Sequence, residues 1–117
     1  MNKVFNKKLQ NLLFICSRNQ WRSPTAEAIW RKDAFFQVRS AGTSPNARKT
    51  VSPADIRWTD VVFVMENKHK SRLTSKFARM LEHKPLFVLD IPDDYKYMDE
   101  ELVTELKIKV TDILAVQ

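Results

Sequence analysis

The chain has 117 residues, a formal net charge of +6 and 44% hydrophobic residues. That suits a single domain over residues 1–117 built on one core, and it is too apolar for a disordered chain. No apolar stretch approaches the roughly 20 residues that a membrane helix needs, so no membrane partner is expected.

Residues 1–8 hold neither an apolar run nor a small-residue cleavage site, so they do not read as a secretory signal. Residues 12–16 (Leu-Leu-Phe-Ile-Cys) are a short continuous apolar run without alternation, the pattern of a buried parallel strand. Arg22 follows Cys16 by six residues, and Ser23 and Pro24 come next. They predict a helix over residues 24–34, with Ser23 as N-cap and Pro24 in the first turn, where a missing N–H costs nothing. Residues 36–41 alternate and predict an edge strand closed by Gly42. A short helix should follow Ser52 and Pro53 and end near Trp58. Residues 61–65 and 86–89 predict two more buried strands, with a longer helix from Lys68 to Leu81 between them. The cationic stretch from Lys68 to Arg79 reads as a solvated face of that helix. The last helix begins near Asp99, with Glu100 and Glu101 in its first turn. Its apolar stripe is Met98, Leu102, Leu106, Val110 and Leu114, widened by Ile113. Strands alternating with helices predict an α/β fold, a small four-stranded parallel sheet flanked by helices in three layers. Ligands of such sheets bind beyond the carboxyl ends of the strands, and Cys16 stands at one of those ends.

A loop between a strand end and a helix start directs its backbone N–H groups, and the positive end of the helix dipole, at one spot. A phosphate ester held there by Ser17, Arg18, Asn19, Gln20 and Trp21 would present its phosphorus to the Cys16 thiol. Arg22, with its planar fork, could bind two of the oxygens at once. The same positive field favours the thiolate at neutral pH, and Ser23 could donate its hydroxyl to the sulfur. In-line attack would give a phosphocysteine. The leaving oxygen then needs a proton, and Asp90, Asp93 and Asp94 all follow the last strand. The histidines are His69 and His83, and no His, Cys and carboxylate set shows metal-ligand spacing. This chemistry calls for no metal and no cofactor. Cys16 is the sole cysteine, which excludes an internal disulfide and leads to an expected cytoplasmic location.

Residues 12–28, Leu-Leu-Phe-Ile-Cys-Ser-Arg-Asn-Gln-Trp-Arg-Ser-Pro-Thr-Ala-Glu-Ala, resemble the signature loop of the low-molecular-weight protein tyrosine phosphatases. Ser40-Ala41-Gly42-Thr43, Ala47-Arg48 and Val64-Met65-Glu66 resemble later segments of that family in collinear order. Asp93-Asp94-Tyr95 resembles its Asp-Pro-aromatic acid loop. The resemblance implies hydrolysis of phosphotyrosine or a similar aryl phosphate, carried on a phosphorylated protein or a small molecule. It makes Cys16 the nucleophile, Arg22 the phosphate clamp, and Asn19 the residue that holds the loop in a left-handed turn. Ser23 would support the thiolate, Asp93 would be general acid and then base, and Tyr95 would wall the pocket. Trp21 and Trp58 are further candidate walls.

The chain departs from the family's pattern at several positions. Arg18 stands where the family usually has glycine, Trp21 where it has a second cysteine, and Asp94 where it has proline. Glu66 and His69 stand where it has Asp and Asn. A non-catalytic module that binds phosphate or a phosphoprotein is the alternative on the same fold. Arsenate reduction would require relay cysteines that this chain lacks. Nucleic-acid binding is suggested by net charge alone, without a zinc-finger, recognition-helix or RNA-binding signature.

Overall fold

The structure, a computed structural model, describes residues 9–115; the N-terminal stretch read above as lacking a secretory signal lies outside them. In chain order the elements are β1 (Gln10–Cys16), α1 (Arg22–Trp30), β2 (Phe36–Gly42), α2 (Pro53–Trp58), β3 (Val61–Val64), α3 (Asn67–Leu81), β4 (Leu86–Val88) and α4 (Glu100–Ala115). All strand pairings are parallel, in the order β2-β1-β3-β4. The four-stranded parallel sheet with flanking helices is therefore the observed architecture. Among the described residues no helix is long and apolar enough to cross a membrane.

The apolar run of β1 is continuous because both faces of the sheet are covered. Leu12, Phe14 and Cys16 join Ala26 and Trp30 of α1 and Leu102, Leu106 and Val110 of α4 in one core. Leu13 and Ile15 turn to the opposite face and meet Ile56 of α2 and Leu73, Phe77 and Leu81 of α3. The helices thus form two outer layers. On the first face Trp30, Phe14, Phe63 and Phe87 stack in series, with ring centroids 5.5, 5.2 and 5.9 Å apart. The chain leaves β1 in one direction to reach β2 and crosses back to β3 on the other side. The winding reverses at the carboxyl end of β1, which is where crevices open in such sheets.

Several boundaries differ from expectation. α1 begins at Arg22, so its N-cap position is Trp21 and Ser23 is already helical. The Ser23 hydroxyl is not a cap because it is used inside the loop, as shown below. The helix stops at Trp30, short of Ala34. β4 is the second edge of the sheet and only half-buried, whereas Leu89 just beyond it is buried. Met98 precedes α4 with a φ of 62° and is exposed, so it does not join the apolar stripe. The short helix α2 matches its start signal: the Ser52 hydroxyl accepts from the Asp55 N–H at 3.3 Å, and the Asp55 carboxylate accepts from the Ser52 N–H at 3.1 Å.

Gly42 ends β2 directly beside the loop that leaves β1, paired in register with Cys16. A Cβ there would lie 2.5 Å from the Ser17 carbonyl oxygen and 2.6 Å from the Ala47 Cβ. Only glycine lets the two backbones approach this closely. Gly42→Ala should therefore cost about 1–3 kcal/mol in urea unfolding and displace the Ser17 peptide. Unchanged stability would show that the approach is not tight.

Candidate active site

The loop over residues 16–21 is shaped by what holds its carbonyls. Cys16 O accepts from the Thr43 N–H at 3.0 Å, Ser17 O from Ser44 at 2.9 Å and Arg18 O from Arg48 at 2.9 Å. Asn19 O accepts from Arg48 Nε at 3.0 Å. In a planar trans peptide the C=O and the following N–H point in opposite directions. Pinning these four carbonyls outward against the segment after β2 turns the N–H groups of Ser17, Arg18, Asn19 and Gln20 inward. None of these, nor the Trp21 N–H, has a hydrogen-bond partner among the described residues. Such a run of convergent amides forms an anion-binding concavity, here capped by the N-terminus of α1.

Asn19 holds the turn. Its φ is 56°, the left-handed region that asparagine tolerates better than most residues, and it is fully buried. Its Nδ2 donates to Ser23 Oγ and to Ser40 Oγ, each at 2.9 Å. Ser40 passes its own hydrogen to Glu27 Oε1 at 2.5 Å. Ser23, already accepting from Asn19, has its hydrogen left to give. Cys16 Sγ lies 3.0 Å away and the Ala41 carbonyl 3.5 Å, so the sulfur is the nearer acceptor. The network therefore branches at Asn19: one arm ends on the Glu27 carboxylate, and the other, through Ser23, ends as a donor to the buried sulfur. Glu27 and Ser40 had no role assigned from sequence; Ser40 stands in the Ser-Ala-Gly-Thr segment quoted above, but nothing in its spacing tied it to Asn19.

Arg22 is 3% exposed at its side chain and held from one end. Its Nη1 donates to Glu66 Oε1 and to the Ile91 carbonyl, both at 2.8 Å. That leaves the edge formed by Nε and Nη2, the edge that makes bidentate contact with an oxyanion. Asp93 borders this edge, with Oδ1 3.6 Å from Nε and a side chain 57% exposed. Asp90 has a φ of 58° and an exposed side chain, and its carbonyl accepts from Lys109. Asp94 is exposed. Of the three aspartates, Asp93 is the one brought to Arg22.

Arg18 and Gln20 are exposed on the loop, and Trp21 is 39% exposed at its end. Thr25 ties the end of this loop to the segment before α4: its Oγ1 donates to the Trp21 carbonyl at 2.7 Å and accepts from the Met98 N–H at 2.9 Å. Tyr95 packs partly against the core beneath α1 and α4. Trp58 is not part of this region. Its carbonyl accepts from Asn11 near the start of β1, and its ring lies under Arg39, 4.2 Å from guanidinium carbon to ring centroid. It serves packing at the opposite end of the sheet.

The cationic helix α3 is not merely a solvated face. Its apolar positions Leu73, Phe77 and Leu81 are buried, and so is His69. His69 Nδ1 accepts the Glu66 N–H at 3.0 Å, and Nε2 lies 2.8 Å from Ser17 Oγ. Arg72 Nη1 approaches the same hydroxyl at 3.4 Å. Burial, reinforced by the Arg22 charge and by Lys68 and Arg72 against the opposing Glu66, lowers the His69 pKa from 6.5 to about 4. Partial burial of Glu66 works against its charge, but the Arg22 hydrogen bond and charge, with Lys68, outweigh it and keep its carboxyl below the usual value. The Glu-x-x-His spacing was the available signal, three residues apart like a capping box with histidine in the third position.

No family model matches the chain, and no curated protein sequence does. Solved structures match it well. A low-molecular-weight protein tyrosine phosphatase from Streptococcus pyogenes superposes with a TM-score of 0.75 at 17% identity, covering 92% of each chain. The YwlE arginine phosphatase from Geobacillus stearothermophilus gives 0.71 at 21% identity, covering 92% of this chain and 94% of its own. Wzb from Vibrio vulnificus, in complex with benzylphosphonate, gives 0.68 at 20% identity, covering 92% and 97%. The chain has the fold of the low-molecular-weight protein tyrosine phosphatases.

His69 makes stability depend on pH in a definite direction. Because its pKa falls from 6.5 to about 4 on folding, the unfolded chain takes up a proton across that window that the folded chain refuses. Stability therefore falls as pH drops from 6.5 towards 4. Between about pH 7 and about pH 4.5 the wild type should lose about 2 kcal/mol more than His69→Asn in urea unfolding. Parallel losses in the two proteins would show that the imidazole is not held neutral.

Proposed function

We propose that the chain is a cysteine-dependent phosphatase that hydrolyses phosphotyrosine or a similar aryl phosphate through a phosphocysteine. The observation that carries this reading is the set of N–H groups of residues 17–21, unpartnered among the described residues, in the loop that joins the Cys16 sulfur to the open edge of Arg22. Such a set matches the three equatorial oxygens of a phosphoryl group in transfer.

In this reading the thiolate of Cys16 attacks phosphorus in line with the ester oxygen. Ser23 donates to the sulfur, which stabilises the thiolate before attack and again as it leaves. Arg22 takes two equatorial oxygens on Nε and Nη2 while Glu66 and the Ile91 carbonyl hold Nη1. Asp93 protonates the departing phenoxide, then takes a proton from the water that hydrolyses the phosphocysteine. Trp21, with Tyr95 and the neighbouring Met98, offers an aromatic and apolar rim for an aryl group. The Vibrio vulnificus neighbour bound to benzylphosphonate supports an aromatic ester as substrate. Phosphoarginine belongs in the same assay, because the Geobacillus neighbour is an arginine phosphatase.

Hydrolysis of nitrophenyl phosphate, phenyl phosphate and phosphotyrosine, inhibited by vanadate, is the expected result. Cys16→Ser should lower kcat by at least about 10³-fold. Arg22→Lys should lower it by about 10²-fold, since a point charge cannot replace the bidentate fork. Asp93→Asn should slow phenyl phosphate more than nitrophenyl phosphate, whose leaving group needs less help from an acid. Phosphate binding without turnover in the wild type would replace this reading with the binding module. Equal effects of Asp93→Asn on both esters would remove Asp93 from the acid role.

A further inference from the structure

His69 is a buried titratable side chain for which the phosphatase steps above have no use. It is 0% exposed, in the first turn of a helix whose other polar residues are largely solvated. Its hydrogen bonds fix its tautomer. Nδ1 accepts from the Glu66 N–H, so the single proton of the neutral ring sits on Nε2 and is donated to Ser17 Oγ at 2.8 Å. Arg72, three residues along the same helix, directs Nη1 at that oxygen from 3.4 Å.

A hydroxyl oxygen has two acceptor positions and one hydrogen. At Ser17 both acceptor positions face donors from α3, so the hydrogen is the group left to point elsewhere. Ser17 directly follows Cys16, and its peptide is already pinned by Ser44. The same imidazole fixes the backbone of Glu66, whose carboxylate holds Arg22 at 2.8 Å. Two sides of the anion cradle are thus tied to one ring. The ring does this without adding charge: Arg22, Lys68 and Arg72 face it with only Glu66 to oppose them, and together with burial they keep it neutral.

We propose that His69 is a positioning residue of the phosphate-binding loop: it orients the Ser17 hydroxyl as an additional donor to the bound oxyanion while holding Glu66 against Arg22. Resting on the phosphatase reading for its purpose, it concerns oxyanion binding and is tested separately from turnover. The bland reading of the same contacts is a buried histidine that only caps α3. Substitutions can part the two. Asparagine at this position can offer Oδ1 in place of Nδ1 and keep the Glu66 N–H satisfied, but it is too short to reach Ser17. Glutamine can place an amide nitrogen where Nε2 was.

The experiment measures inorganic phosphate binding, as protection of Cys16 from alkylation, together with kcat and KM for nitrophenyl phosphate. The proteins are wild type, Ser17→Ala, His69→Asn, His69→Gln and the double variant Ser17→Ala with His69→Asn. Each of Ser17→Ala and His69→Asn should weaken phosphate binding by about tenfold, the scale of one hydrogen bond to a charged group. The double variant should be no worse than either single one, because both remove the same interaction. His69→Gln should bind phosphate more tightly than His69→Asn even if it melts lower. The ¹⁵N shifts of the His69 ring should report the Nε2–H tautomer, which Ser17→Ala perturbs. A cap-only role predicts unchanged phosphate binding in His69→Asn, or losses that multiply in the double variant, and either would overturn the proposal; so would an Nδ1–H tautomer or a wild type indifferent to phosphate. A wild type that binds phosphate with this coupling but hydrolyses nothing would sink the phosphatase reading and leave this inference standing.

Discussion

The outward pinning of four consecutive carbonyls, from Cys16 to Asn19, is the constraint on which the rest of the site depends. An isolated loop of this length has no reason to turn its amides to one side, since each peptide is free to flip. Here the parallel register of β1 with β2 brings Gly42 opposite Cys16, and residues 43–48 run on as an outer wall of donors. Sheet pairing thus sets backbone polarity in the loop. The single glycine of the chain is spent where that wall must come closest. Asn19, left-handed and buried, completes the curve.

A cradle of amides beside a buried guanidinium would be costly if its charge were unanswered. Glu66 answers it from the side away from the cradle, and the Ile91 carbonyl adds a second acceptor to the same nitrogen. This leaves the Nε and Nη2 edge clear of both acceptors while the arginine stays fixed. Glu66 comes from the end of β3 and Ile91 from just after β4, so the clamp is assembled by strands on the far side of β1 from the wall of donors. The sheet order β2-β1-β3-β4 therefore divides the labour: β2 on one side of β1 shapes the amides, and β3 with β4 beyond it aim the arginine.

The strands and helices were legible because burial writes directly into sequence. Residues 12–16 and 61–65 are apolar throughout since helices cover both faces of the sheet. The strand at residues 86–89 looked equally buried, yet it forms an edge, because an apolar run does not say whether a further strand lies beyond it. Ser23 has the chemistry of an N-cap and stands before Pro24, but its hydroxyl is taken by a longer-range network through Asn19 and Cys16. Local propensity yielded there to tertiary hydrogen bonding. His69 was hidden for a related reason. Its neighbours Lys68 and Lys70 advertise a solvated helix face, and the partner that buries it, Ser17, lies 52 positions away. Met98 kept the four-residue spacing of α4 but fell before the helix began.

The central claim is that residues 16–22 form an electropositive cradle with a reactive sulfur at its floor, and the sulfur itself can report on it. Alkylation of Cys16 by iodoacetamide should be followed across neutral and alkaline pH, with and without inorganic phosphate. The account predicts rapid alkylation already at neutral pH, suppressed by phosphate in a saturable way. A rate that climbs only under alkaline conditions and ignores phosphate would contradict it.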